Sequence, residues 1–135
     1  MYPDIQVDSR DVTPLWKQIE ESIRRLISSD VLLPGAPVPS VRDLARELRI
    51  NPATVARAYQ RLMEARLLVA RRGEGTYVSD RPPVMEKSER LRIVRESAQR
   101  YAIASISAGA TEKEILTEAA AAWRRLGSAE RGEKK

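Results

Sequence analysis

At 135 residues and a net charge of +5, the chain has room for one compact domain, or a small domain with a helical appendage, and its charge suits a polyanionic partner. It contains neither cysteine nor histidine, which excludes disulfides and thiolate metal sites and deprives zinc binding and imidazole acid/base chemistry of their usual residues. Asp4, Asp8 and Asp11 stand where a signal sequence would carry basic and apolar residues, and no apolar run approaches the roughly 20 residues that span a bilayer. No membrane partner and a cytoplasmic location are therefore expected.

From Pro14 to Ser29, Trp16, Ile19, Ile23, Leu26 and Ile27 fall on one helical face, with Lys17, Glu20, Glu21, Arg24 and Arg25 mostly on the other. This first helix supports a core. Leu33-Pro-Gly-Ala-Pro-Val-Pro is too rich in proline for helix and reads as an extended or turning connector. A second helix is predicted from Ser40 to Arg49, because Ser40 followed three residues on by Asp43 is a capping-box pattern. Its apolar face is Val41, Leu44, Ala45 and Leu48, and Arg42, Arg46 and Arg49 form a basic stripe beside it. Asn51 with Pro52 supplies a polar cap and a first-turn proline for a third helix. Leu48 to Ile50 is as short as the connection of a helix-turn-helix, whose second helix enters the major groove. On the third helix Val55, Ala58, Tyr59, Leu62 and Met63 face inward, leaving Ala53, Thr54, Arg57 and Arg61 outside.

Leu67 to Arg72, a turn at Gly73-Glu-Gly75 and strand formers from Thr76 to Ser79 predict a β-hairpin wing, ended by the prolines after Asp80 and Arg81. Beyond it, Leu91, Val94, Ala98, Tyr101, Ser105 and Ala108 step by three and four up to Gly109, a helix stop. Thr111 and Glu114 repeat the capping box and open a further helix carrying Ile115, Ala119, Ala122 and Leu126, with Leu116 and Trp123 alongside. Two helices alone cannot bury these stripes, so they need the winged domain or a second subunit. The polar stretch from Ser128 to Lys135 is expected to fray. The expected fold is mainly α with a small β-hairpin: an N-terminal winged helix-turn-helix over residues 1–80 and a C-terminal two-helix dimerisation hairpin over 81–135.

Taken together, Ile5, Pro14-Leu-Trp, Gln18-Ile, Leu33-Pro-Gly, Val38-Pro-Ser-Val-Arg-Asp-Leu-Ala, Asn51-Pro-Ala-Thr-Val-Ala-Arg-Ala-Tyr and Arg71-Arg-Gly-Glu-Gly-Thr-Tyr-Val resemble the GntR family of bacterial transcription regulators. Within it the chain is most similar to the YtrA-type branch, in which two short C-terminal helices serve dimerisation. The resemblance implies a repressor that binds double-stranded operator DNA as a homodimer without a cofactor. It implies DNA contact by Arg42, recognition-helix positions at Asn51, Ala53, Thr54 and Arg57, and a wing tip at Gly75. Ala53 and Glu74 depart from the residues common in relatives: a methyl reads mainly thymine, and a carboxylate is repelled by phosphate.

The expected DNA face thus comprises Ser40, Arg42, Arg46, Arg49, Asn51, Ala53, Thr54, Arg57, Arg61, Arg72, Gly73, Gly75 and Thr76. The expected pairing surface comprises Leu91, Val94, Ala98, Tyr101, Ile115, Ala119 and Trp123. One alternative is a winged-helix protein-interaction module, since fold does not fix function. An enzyme finds no support: no glycine-rich phosphate loop is present, and Glu20, Glu21, Glu112 and Glu114 read as helix-surface or cap residues. Trp16, Tyr101 and Trp123 are core candidates by spacing, with a small-molecule effector pocket between subunits as the other reading.

Overall fold

The computed structural model describes residues 5–128, so Asp4 and the tail from residue 129 lie outside the described residues. The chain forms two compact units, Met1–Pro83 and Val84–Lys135. The first contains α1 (Leu15–Ser28), β1 (Pro37–Val38), α2 (Val41–Leu48), α3 (Pro52–Glu64), β2 (Leu68–Arg71) and β3 (Gly75–Val78). Among the described residues no helix is long and apolar enough to cross a membrane.

α1 buries Ile19, Ile23, Leu26 and Ile27, as its spacing requires, and Pro14 caps the helix instead of beginning it. The preceding segment is fastened by Gln18, whose amide donates to the carbonyls of Asp8 at 3.0 Å and Thr13 at 2.8 Å and accepts the Asp8 N–H at 2.8 Å. That clasp brings Ile5 into the same core as Leu44, Val55, Tyr59, Leu62, Leu68 and Val78.

The polar-face assignment of Glu20 is corrected by the structure: the residue is only 7% exposed. Arg61 Nε from α3 lies 2.8 Å from one carboxylate oxygen and Arg24 Nε 3.1 Å from the other, so two cations compensate a desolvated anion. Burial opposes ionisation, but the hydrogen bonds from Arg61 and Arg24 outweigh it and hold the carboxyl below its ordinary value. A carboxyl lowered on folding adds stability above its unfolded pKa, about 4.3, and that contribution disappears as the pH falls through the folded value. Glu20→Gln is therefore expected to melt below the parent at pH 7, with the gap closing below about pH 4. Thermal melts of both proteins from pH 7 to pH 3 check this; a gap independent of pH contradicts it.

Ser40 Oγ accepts the Asp43 N–H at 3.0 Å, which starts α2 where its sequence signal lies. The return half of the box is replaced by an ion pair of Asp43 with Arg46 at 3.4 Å. Asn51 Oδ1 accepts the Ala53 N–H at 2.8 Å, and Pro52 occupies the first position of α3. Buried Tyr59 ties the two helices together by donating from its hydroxyl to the Pro39 carbonyl at 2.7 Å, immediately before the α2 cap.

β2 and β3 form the expected hairpin, with Arg71 opposite Gly75 and Leu68 opposite Val78. A strand absent from the sequence reading completes the sheet: β1 pairs antiparallel with β3, giving the order β1-β3-β2. The pairing continues past β1 through Val78 N–H to Ala36 O at 2.8 Å and Gly35 N–H to Val78 O at 3.0 Å.

α1, α2 and α3 all terminate in the same way. Asp30, Arg49 and Arg66 take left-handed φ of 64°, 59° and 63°. The next amide in each case bonds back to Leu26, Ala45 and Leu62 respectively, at 2.9, 3.0 and 2.9 Å, closing the helix end with an apolar residue beyond it.

The second unit contains α4 (Lys87–Ser107), α5 (Glu112–Trp123) and a π-helical turn, Arg124–Ser128. Gly109, at φ 86°, and the Ala110 N–H to Ser105 O bond of 3.0 Å end α4. Thr111 and Glu114 form both halves of a capping box, at 3.1 and 2.7 Å. Tyr101 donates to the Ile115 carbonyl at 2.9 Å, holding α4 against α5.

Candidate nucleic-acid interface

The connection between α2 and α3 is Arg49, Ile50 and Asn51, short enough to fix the two helices as a unit. Side-chain caps at Ser40 and Asn51 satisfy helix-start amides without bulk, and Ala53 and Arg57 stand exposed beside half-buried Thr54 on the first two turns of α3. Arg42 is exposed on α2 and has no ion-pair partner among the described residues. Arg46 is exposed too, and its pair with Asp43 is a surface contact of small energetic weight. Arg49 leaves the helical stripe assigned to it, because its left-handed backbone places it in the turn.

Two further sequence assignments are revised by geometry. Arg61 is committed to α1, bonded to Glu20 and with its guanidinium 4.9 Å from the Trp16 ring centroid. The wing tip is Arg72-Gly73-Glu74, closed by the Glu74 N–H to Arg71 O bond of 2.9 Å, with Gly73 at φ 79°. Gly75 instead opens β3 at φ 133°, and Thr76 lies in the central strand opposite Val38 and Ala70. The wing carries a residue that local pattern did not single out: Arg71 stacks 4.4 Å from the Tyr77 ring centroid and lies 3.8 Å from Asp80.

Trp16, read as a core residue, is half-buried and carries a second cation, with Arg57 centred 4.3 Å from its ring. Sequence spacing predicts each helix face but not which residues of α1 and α3 meet, so this contact had no local signal.

In the second unit, α4 and α5 contain no buried residue. Leu91, Val94, Ala98, Tyr101, Ala119 and Trp123 are exposed and Ile115 is half-buried; Ile106, at 70% exposure, and Leu116 add to the apolar surface.

Three helices around one core, a tight α2–α3 connection and a three-stranded wing sheet define a winged helix-turn-helix protein, the class that offers its third helix to a DNA groove. The family model described as "Bacterial regulatory proteins, gntR family" matches residues 15–78. The HTH-type transcriptional repressor YtrA of Bacillus subtilis (strain 168) is 33% identical over 114 residues, covering 84% of this chain and 87% of that protein. YtrA from Sulfolobus acidocaldarius, a GntR-family transcription factor of known structure, superposes with a TM-score of 0.57 at 31% identity, over 72% of this chain and 98% of that one. A transcriptional antiterminator from Listeria monocytogenes EGD-e has the same fold, with a TM-score of 0.72 over 90% of each chain at 22% identity. The chain belongs to the GntR family and is a transcription regulator of it.

Proposed function

We propose that the protein represses transcription by binding a palindromic operator as a homodimer, with one α3 in each of two successive major-groove segments. The observations that carry this reading are the exposed, side-chain-capped start of α3 and, on α2, the exposed Arg42, which has no ion-pair partner among the described residues. Arg42, Arg46, Arg49 and wing-tip Arg72 meet phosphates, while Thr54 and Arg57 meet base edges and Ala53 offers a methyl. Ser40 and Asn51 keep the helix starts in register. Pairing through α4 and α5 covers apolar side chains that a lone chain leaves in water, and it sets the half-sites about one helical turn apart.

The test is titration of Arg42→Ala and Arg57→Ala against a duplex selected from a random pool and its scrambled counterpart, at several salt concentrations. Arg57→Ala is expected to reduce discrimination by about 1–3 kcal/mol per half-site. Arg42→Ala is expected to weaken both duplexes alike and to lower the salt slope by about one unit per subunit. Parental affinity and salt dependence in both variants would falsify this DNA face.

A further inference from the structure

We propose that Trp16 is a positioning residue for Arg57, holding its guanidinium ready for a base edge before DNA arrives. The proposal rests on the reading of Arg57 as a base-contacting residue. Trp16 belongs to α1, outside the helix pair that meets DNA, and packs against the hydrophobic core, so its ring is a fixed platform. Arg57 lies with its guanidinium carbon 4.3 Å from the ring centroid. Arg61, one turn further along α3, also approaches the ring, at 4.9 Å, but its Nε is bonded to Glu20.

Glu20 also accepts a bond from Arg24, so the carboxylate bonded to Arg61 is already shared by two cations. Among the described residues Arg57 has no carboxylate partner. That division of partners suits the two arginines to different tasks. A carboxylate would occupy the edge of a guanidinium, where its N–H donors lie, and would have to be displaced before those donors could reach a base. An aromatic ring meets only the flat face and leaves the donor edge available for a bidentate contact. Holding a long, rotamer-rich side chain in place beforehand also removes an ordering cost from binding.

The experiment uses the full chain, the duplex that the parent selects from a random pool, and a scrambled duplex of equal length. Arg57→Ala is expected to reduce the preference for the selected duplex by roughly 5- to 150-fold per half-site. Trp16→Leu should lose several-fold of the same preference with unchanged affinity for the scrambled duplex, and Trp16→Phe, with a smaller π face, should lose less. In the Arg57→Ala background Trp16→Leu should cost no further preference. Full preference in Trp16→Leu, or losses that simply add in the double variant, overturns the proposal while leaving the reading of Arg57 intact. Unchanged preference in Arg57→Ala overturns that reading instead. Where Trp16→Leu unfolds below the assay temperature, Trp16→Phe is compared in the parent and in Arg57→Lys, which keeps the charge and lacks the flat guanidinium. A cost in the parent alone supports the proposal, and equal costs in both overturn it.

Discussion

A chain ended after Pro83 is expected to stay folded, to sediment as a monomer, and to bind a duplex with two half-sites roughly 100- to 10,000-fold more weakly than the intact protein. The first unit has its own core, running from Ile5 to Val78, and needs no residue of α4 or α5 to fill it. What truncation removes is the link between two binding modules. Once one α3 is seated, its linked partner faces the second half-site at an effective concentration far above that of free protein, and no new contact is required for the gain. Sedimentation and titration of both chains decide the matter. A monomeric intact chain at micromolar concentration, or a truncated one that keeps full affinity, removes the basis for pairing through α4 and α5.

Tyr59→Ala is expected to destabilise the first unit by about 3–5 kcal/mol, a large share of the 5–15 kcal/mol typical of a small domain. Tyr59 is 1% exposed, so truncation leaves a cavity in the core. Tyr59→Phe separates the hydroxyl from the ring: it keeps the packing and leaves the Pro39 carbonyl without its 2.7 Å partner, at a cost of about 1–3 kcal/mol. Because that carbonyl directly precedes Ser40, the Phe variant should also loosen the start of α2. Urea unfolding gives both energies, and amide exchange at Val41 to Leu44 reads the local effect. An unchanged midpoint for Tyr59→Phe would show that the hydrogen bond adds nothing.

The parts of this fold that were legible in sequence are those whose physics is local. Ser40, Asn51-Pro52 and Thr111 with Glu114 each act on amides two or three positions away, so the residue and its partner fall within one glance. The apolar spacing of α1 and α3 likewise maps directly onto Ile19, Ile23, Val55, Tyr59 and Leu62. β1 escaped notice because two residues, one of them a proline without an N–H, carry no strand pattern; its pairing is with β3, nearly 40 residues further on. Glu20 is buried against expectation, and the arginine stacked on Trp16 had no local signal, for a related reason. On α1 alone Glu20 reads as solvent-facing, and only α3 brings Arg61 and Arg57 across it and the neighbouring ring. At the proposed DNA face the residue types were readable, whereas which arginines are held by carboxylates depended on these long-range partners.

The left-handed residues that close α1, α2 and α3 bear on how this protein could change. Asp30, Arg49 and Arg66 occupy backbone conformations in which a side chain costs roughly 1 kcal/mol and glycine is at ease. Each position is thus a candidate for a stabilising glycine wherever the strain relieved exceeds the entropy that glycine adds to the unfolded chain. Two of them, Asp30 and Arg66, are open to that change at no cost to the proposed DNA face. At Arg49 the same exchange would surrender a cation next to Asn51, so heat tolerance and operator affinity pull against each other at one residue in a three-residue turn. A lineage selected only for heat would be expected to settle on glycine there, and one selected for tight repression to keep the arginine.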